Sequence, residues 1–363
     1  MNTILQKFKK VTEDESQHRR PIMIAGPCSA ESESQVLETA IALKKMNIDL
    51  FRAGIWKPRT RPGLFEGVGS IGLEWLRTVK QETNLPVATE VANVKHVYEA
   101  LKSGIDVFWI GARTSANPFA VQEIADSLKG VDITILVKNP VNPDVSLWLG
   151  VIERIEKVVK NNVCAIHRGV TQFTPSIYRN KPEWGLFLEL KKLRPDLIFI
   201  ADPSHIAGNR ELIQNISQTA IDLMFDGLMI EAHICPEIAL SDKQQQITPL
   251  HLEQLVKSLI IRKETPDGLQ LETIEDLRKK ISYIDEQIID LLSFRMDVVH
   301  DIAIFKKQNQ MTIFQEGRWN NLIEQHREKA EQKNINLDFV ISIFNLIHQE
   351  SINKQTKIIN ELG

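Results

Sequence analysis

The chain has 363 residues, 43% hydrophobic and 25% charged, with a formal net charge of −3. Such a length suits one large domain plus a smaller one, and the near-neutral balance gives no attraction for nucleic acid or an anionic membrane. No apolar run approaches the roughly 20 residues of a membrane span, and three cysteines make no disulfide framework.

Residues 1–20, MNTILQKFKKVTEDESQHRR, form a polar, acid-containing N-terminal extension unlike a signal or transit peptide, so a cytoplasmic location is expected. From residue 21 to 235 eight short runs rich in β-branched residues follow: PIMIAGP, DLFRAGI, PVATEV, DVFWIGA, ITILVK, VCAIHRG, LIFIAD and GLMIEAH. Segments with helical periodicity separate them, among them SESQVLETAIALKKMN, GLEWLRTVKQE and LWLGVIERIEKVVKNN. Alternating strands and helices imply parallel pairing through right-handed crossovers. Eight continuous apolar strands predict an α/β fold, a closed (β/α)8 TIM barrel over 21–262. No GxGxxG opens a helix after the first strand, which counts against dinucleotide binding.

RKETPDGLQLE then marks a polar linker, placed at 263–272. Beyond it the chain reads as helix, over 273–309, 315–332 and 337–360, giving a small all-α three-helix domain, 273–363. A helix over 273–309 is about 55 Å long. That is too long to bury its apolar stripe within so small a domain, so the domain is expected to dimerise.

Four residues that could hold a metal follow strands one, seven and eight: Cys28, His205, Glu231 and, just beyond, Asp242. A parallel barrel presents such strand ends to one pocket. Mixed sulfur, nitrogen and oxygen ligation suits Mn, Fe, Co or Zn better than Mg or Ca. Cys164 and Cys235 read instead as small buried fillers. A second set is cationic: Arg52, Lys57 and Arg59 after strand two, then Arg113, Lys138 and Arg168 after strands four, five and six. Cations converging on one rim need anions, and Arg forks suit carboxylate and phosphate. The barrel thus reads as built for two anionic substrates, at least one phosphorylated, beside a Lewis-acidic metal.

The motifs GPCSAES, KPRT, GAR, VKN, DPSH, MIEAH and ALSD, in this order over about residues 20–262, resemble 3-deoxy-D-arabino-heptulosonate 7-phosphate (DAHP) synthase of the compact Iβ kind. The resemblance implies a divalent metal on Cys28, His205, Glu231 and Asp242, with Mn2+ ahead of Fe2+, Co2+ or Zn2+. It implies phosphoenolpyruvate on Arg52, Lys57, Arg113, Lys138 and Arg168, and erythrose 4-phosphate on Arg59 and Thr60. Cys28, Lys57 and His205 are the residues it makes catalytic. A sister enzyme making a 3-deoxy-octulosonate phosphate shares the barrel but carries an Asn-containing variant in place of KPRT, which favours the four-carbon aldose here. Two departures, His167 before Arg168 and Arg61 after Thr60, leave these positions intact.

On the long helix, Ile284, Ile288, Leu291, Val298, Val299 and Ile302 fall within about 60° of Arg295, and Lys306 within about 20°. Two cations inside an apolar stripe break binary patterning, as functional sites do. From LRKKISYIDEQIIDLLSFR to SINKQ the chain resembles the all-helical chorismate mutase family. The resemblance implies chorismate or prephenate binding by Arg278 (given across a dimer), Arg295, Lys306, Gln315, Arg318, Ser351 and Gln355, with Arg295, Lys306 and Gln355 catalytic. The family often has acids where Gln315 and Trp319 stand, both near the substrate hydroxyl, which bears on the strength of the mutase. Together the two resemblances imply a bifunctional enzyme of the shikimate route with feedback by prephenate. The competing expectation is a helical domain that serves mainly as a ligand-binding, dimerising regulator.

Overall fold

The computed structural model describes residues 4–12, 20–57, 63–160, 162–172, 176–262 and 269–360. Two compact units divide at Arg262 and Lys263.

In the first unit the apolar runs become strands β1 (Ile22–Gly26), β2 (Leu50–Arg52), β3 (Val87–Val91), β4 (Val107–Ile110), β5 (Thr134–Lys138), β6 (Val163–His167), β7 (Ile198–Ala201) and β8 (Gly227–Glu231). They pair in parallel in chain order, and β8 returns to β1 with Ile22 opposite Gly227 and Gly26 opposite Glu231, closing the barrel. Helices cover the outside, from Glu33–Lys44 after β1 to Pro249–Ser258 after β8. Strand residues therefore feed two cores. One lies between strands and helices, with Phe51, Val87, Phe108 and Ile135. The other fills the barrel, with Ile24, Leu50, Trp109, Leu136, Ile166 and Met229.

The N-terminal extension is not merely a polar lead-in. Residues Ile4–Thr12 form a helix whose Leu5 and Phe8, one turn apart, join the inner core beside Ile22, Leu50 and Ile198. They seal the end of the barrel where the strands begin.

The second unit comprises helices Leu269–Gln308, Glu316–Gln332 and Leu337–Asn360. The first, 40 residues long, is about 60 Å in length. It starts at Leu269, so residues 269–272 of the expected linker form its first turn, while 263–268 lie outside the described residues. Val299 and Ala303 are buried, whereas Ile281, Ile284, Ile288 and Leu291 stay exposed in the single chain.

Candidate active site

Side chains in a strand alternate faces with period two, so each inward apolar residue predicts the inward residue two places on. Leu50 leads to Arg52, Leu136 to Lys138, Ile166 to Arg168, Ile200 to Asp202 and Met229 to Glu231. The apolar filling thus ends in a layer of charge at the carboxyl ends of the strands. Two glycines make room there. A Cβ on Gly26 would stand 2.0 Å from the Arg52 carbonyl oxygen, and one on Gly111 would stand 2.2 Å from Glu90 Oε1.

Cys28, Glu231 and Asp242 place their ligand atoms within 4.8 Å of one another. His205 Nε2 lies 3.7 Å from Glu231 Oε1. The DPSH motif fixes this imidazole: Asp202 caps a short helix, Pro203 occupies its first position, and Asp202 Oδ1 accepts from both the His205 backbone N–H at 3.1 Å and Nδ1 at 3.0 Å. A carboxylate on Nδ1 leaves Nε2 as the nitrogen that would face a metal. Asp242 adopts a left-handed φ of 46°, a conformation Asp reaches more readily than most residues. Its Oδ2 accepts from the Cys28 thiol at 3.2 Å, and Lys57 Nζ donates to the same sulfur at 3.0 Å.

Burial and the Glu231 charge push the Cys28 thiol up to about 12. Burial opposes the charge on Glu231 and Asp242, yet both stay below the usual carboxylate range: His205 and Arg52 outweigh it at Glu231, and Arg179 and His205 do so at Asp242. Glu231 Oε1 is buried without a hydrogen bond among the described residues, flanked by Arg52 Nη1 at 3.3 Å as well as by His205. One thiol, one imidazole and two carboxylates fit a first-row divalent ion, which would take the thiol as thiolate.

The cations are matched more closely than the sequence argument assumes. Arg52 pairs with Glu231 and stacks over Trp109 at 4.6 Å, while Lys138 Nζ meets Asp202 Oδ2 at 2.6 Å. Built-in carboxylates therefore answer two of the charges that the sequence reading left for substrate. Arg168 instead donates to the neutral Asn180 Oδ1 at 2.8 Å. With Arg113, Lys138 and His205 it lines a cavity of about 210 Å³. Trp56, ahead of Lys57, stacks flat on His96 at 3.8 Å. Arg59 and Thr60 lie outside the described residues.

Four further residues belong to this site and were not expected in it. Arg179 donates to Asp242 Oδ1 at 3.0 Å and to Gln245 Oε1 at 2.6 Å, and Gln245 Nε2 donates on to Glu231 Oε2 at 2.7 Å. Glu90 lines the same cavity and accepts from the Trp109 indole at 3.0 Å. Asp202 is the fourth; its place before Pro203 is an N-cap signal readable in the sequence. Cys164 is buried as expected, but Cys235 is exposed, because it lies in the loop beyond β8 rather than on the strand.

In the helical unit, Arg295 Nη1 donates to Ser351 Oγ at 2.6 Å across the first and third helices. Gln355 Nε2 donates to the Ser351 carbonyl at 3.2 Å, and Lys306 donates to the Ile313 carbonyl. Lys306, Ser351 and Gln355 are buried. Burial, then the Arg318 charge, lowers the Lys306 pKa, so Arg318 belongs to the cluster. Arg278 is exposed and pairs with Glu275, and Gln315 is exposed ahead of the second helix; neither joins the cluster within the chain.

A closed parallel barrel whose strand ends gather cations around a thiol, an imidazole and carboxylates defines an enzyme for small anionic substrates. The chain belongs to the DAHP synthetase I family, whose model matches residues 9–267, and residues 277–356 match the model of chorismate mutase type II. It is a bifunctional enzyme of aromatic biosynthesis with a DAHP synthase and a chorismate mutase domain. The phospho-2-dehydro-3-deoxyheptonate aldolase of Thermotoga maritima is 30% identical over 237 residues, 65% of this chain and 68% of that one. The crystal structure of that aldolase from Thermotoga maritima superposes with a TM-score of 0.59 at 28% identity, covering 66% of this chain and 67% of that chain. A 2-dehydro-3-deoxyphosphooctonate aldolase of Variovorax paradoxus is 26% identical over 263 residues, 66% of this chain and 88% of that one.

Proposed function

We propose that the barrel condenses phosphoenolpyruvate with erythrose 4-phosphate to DAHP and phosphate with the help of a divalent metal, and that the helical unit rearranges chorismate to prephenate. The observation that carries the barrel reading is the convergence of Cys28, Glu231 and Asp242 within 4.8 Å, beside His205. A divalent ion there, Mn2+ first and Fe2+, Co2+ or Zn2+ after it, supplies Lewis acidity for an aldehyde carbonyl. Lys57 beside Cys28 favours the thiolate that a bound metal would take, and Asp202 holds His205 in place. Arg52, Lys57, Arg113, Lys138 and Arg168 neutralise the carboxylate and phosphate of phosphoenolpyruvate, and Arg59 with Thr60 takes the aldose phosphate. Held together, the nucleophilic carbon of phosphoenolpyruvate bonds to the aldehyde carbon, water adds at the carbon bearing the phosphoryloxy group, and phosphate leaves. Orientation of two like-charged substrates is the main contribution of the cations.

The mutase reaction is intramolecular and needs neither nucleophile nor general base. Arg295, Arg318 and the partner's copy of Arg278 lock two carboxylates into the reactive conformer, Ser351 holds Arg295, and Lys306 with Gln355 meets charge at the breaking ether bond, Gln315 standing by. The exposed stripe of the long helix favours a homodimer through this unit. A cytoplasmic location and prephenate as feedback ligand complete the reading. A second reading, a regulatory module with little catalysis, draws on Trp319, which stacks on His348 where relatives often place an acid.

The test is product formation from phosphoenolpyruvate with erythrose 4-phosphate against a five-carbon aldose phosphate, with chorismate loss measured in parallel. We expect the four-carbon aldose to win and Cys28→Ala to lose both bound metal and condensation. A metal-replete, fully active Cys28→Ala overturns the metal assignment, and preference for the five-carbon aldose overturns the substrate.

A further inference from the structure

His348, Ser351 and Gln355 lie on the third helix at spacings of three, four and seven residues, which set all three on one face. Ser351 on this face accepts from Arg295. His348 is different: its Nε2 is buried with no hydrogen-bond partner among the described residues. Gln355 Oε1 is a second buried acceptor in that condition on the same face. Buried polar atoms are nearly always paired, and an exception beside a cation cluster calls for a ligand that pairs it.

The imidazole is also held in place. Trp319 stacks on it with centroids 3.9 Å apart and planes 19° from parallel, and Phe314 meets it edge-on at 6.1 Å. Burial, followed by the charges of Arg295 and Lys306, lowers its pKa, so the ring is neutral at pH 7. A neutral imidazole offers one N–H and one lone pair, which suits a hydroxyl better than a carboxylate. The surrounding cations suit carboxylates. The site thus separates two kinds of polar group, and chorismate carries both.

We propose that His348 is a substrate-contacting residue of the mutase site, its Nε2 pairing with the ring hydroxyl of chorismate while Trp319 fixes the plane of the imidazole. It supplies the acceptor that Trp319, whose indole can only donate, does not. The assignment rests on the mutase reading above.

The full-length enzyme is assayed with chorismate and with its hydroxyl O-methyl ether, as wild type, His348→Phe and His348→Gln. In the wild type, methylation should raise KM about tenfold, the loss expected for one well-placed hydrogen bond. His348→Phe should raise KM for chorismate by a similar factor and leave the ether nearly unchanged, so that discrimination collapses; His348→Gln should recover part of it. Should His348→Phe not fold, His348→Leu is read with the same two probes. Equal losses for both probes, as from a purely structural role, overturn the assignment, as does an unchanged KM for chorismate. No chorismate turnover by the wild type overturns the mutase reading itself.

Discussion

His167 sits fully buried against Trp184 and Phe225, and its Nε2–H donates to the Pro182 carbonyl. Burial pushes its pKa down to about 4 from 6.5. Between those values the unfolded chain binds the extra proton, so stability is full above pH 6.5 and falls as pH drops toward 4. The loss from this one group approaches about 3 kcal/mol. Urea midpoints at pH 7 and pH 5 should therefore converge in His167→Gln relative to wild type; parallel curves would locate the acid sensitivity elsewhere. At this scale the sequence revealed what alternation can reveal. Arg52, Lys138, Arg168 and Glu231 follow apolar strand residues two places back and are legible from period two. Arg179 and Gln245 are not, because Arg179 reaches the site from a loop and Gln245 from a short 3-10 helix, both placed only by the closed barrel.

Among the elements, the helix Ile4–Thr12 carries Leu5 and Phe8 into the inner core of the barrel. Phe8 is 1% exposed and shares a core with residues of β1, β2 and β7. Truncating such a side chain costs about 3–5 kcal/mol, so Phe8→Ala should lower the denaturation free energy by that order while KM values for the barrel substrates stay put. A loss below about 1 kcal/mol, the scale of surface changes, would make the helix peripheral. The strands were readable because each apolar run ends at a turn or charged residue. This helix was not, since its apolar face, Ile4, Leu5, Phe8 and Val11, spans little more than two turns of a lysine-rich stretch, and its partners lie on strands far along the chain. The short helix Ala112–Ser115, which carries Arg113, was likewise hidden, because GAR reads as a loop until the next helix is placed.

For the molecule as a whole, the apolar surface of the helical unit is the feature on which the proposed homodimer rests. Leu277, Ile281, Ile284, Ile288 and Leu291 are exposed along one long helix, more apolar side chain than a monomer ordinarily leaves to water. Sedimentation should give a dimer for the wild type. Ile288→Asp should give a monomer that has lost mutase activity, because Arg278 then has no second chain to serve; an active monomer would contradict this. The barrel imposes a different order. With apolar side chains filling the barrel, and Leu5 and Phe8 covering the end where the strands begin, the charged layer opens only toward the carboxyl ends of the strands. Arg52 and Lys138, 1% and 4% exposed, stand at the back of that room, and Arg113 is exposed at its entrance. A ligand seated at the back would have to arrive first, and whatever sits in front would have to leave before it. A packed interior with one open face would turn two substrates into a queue.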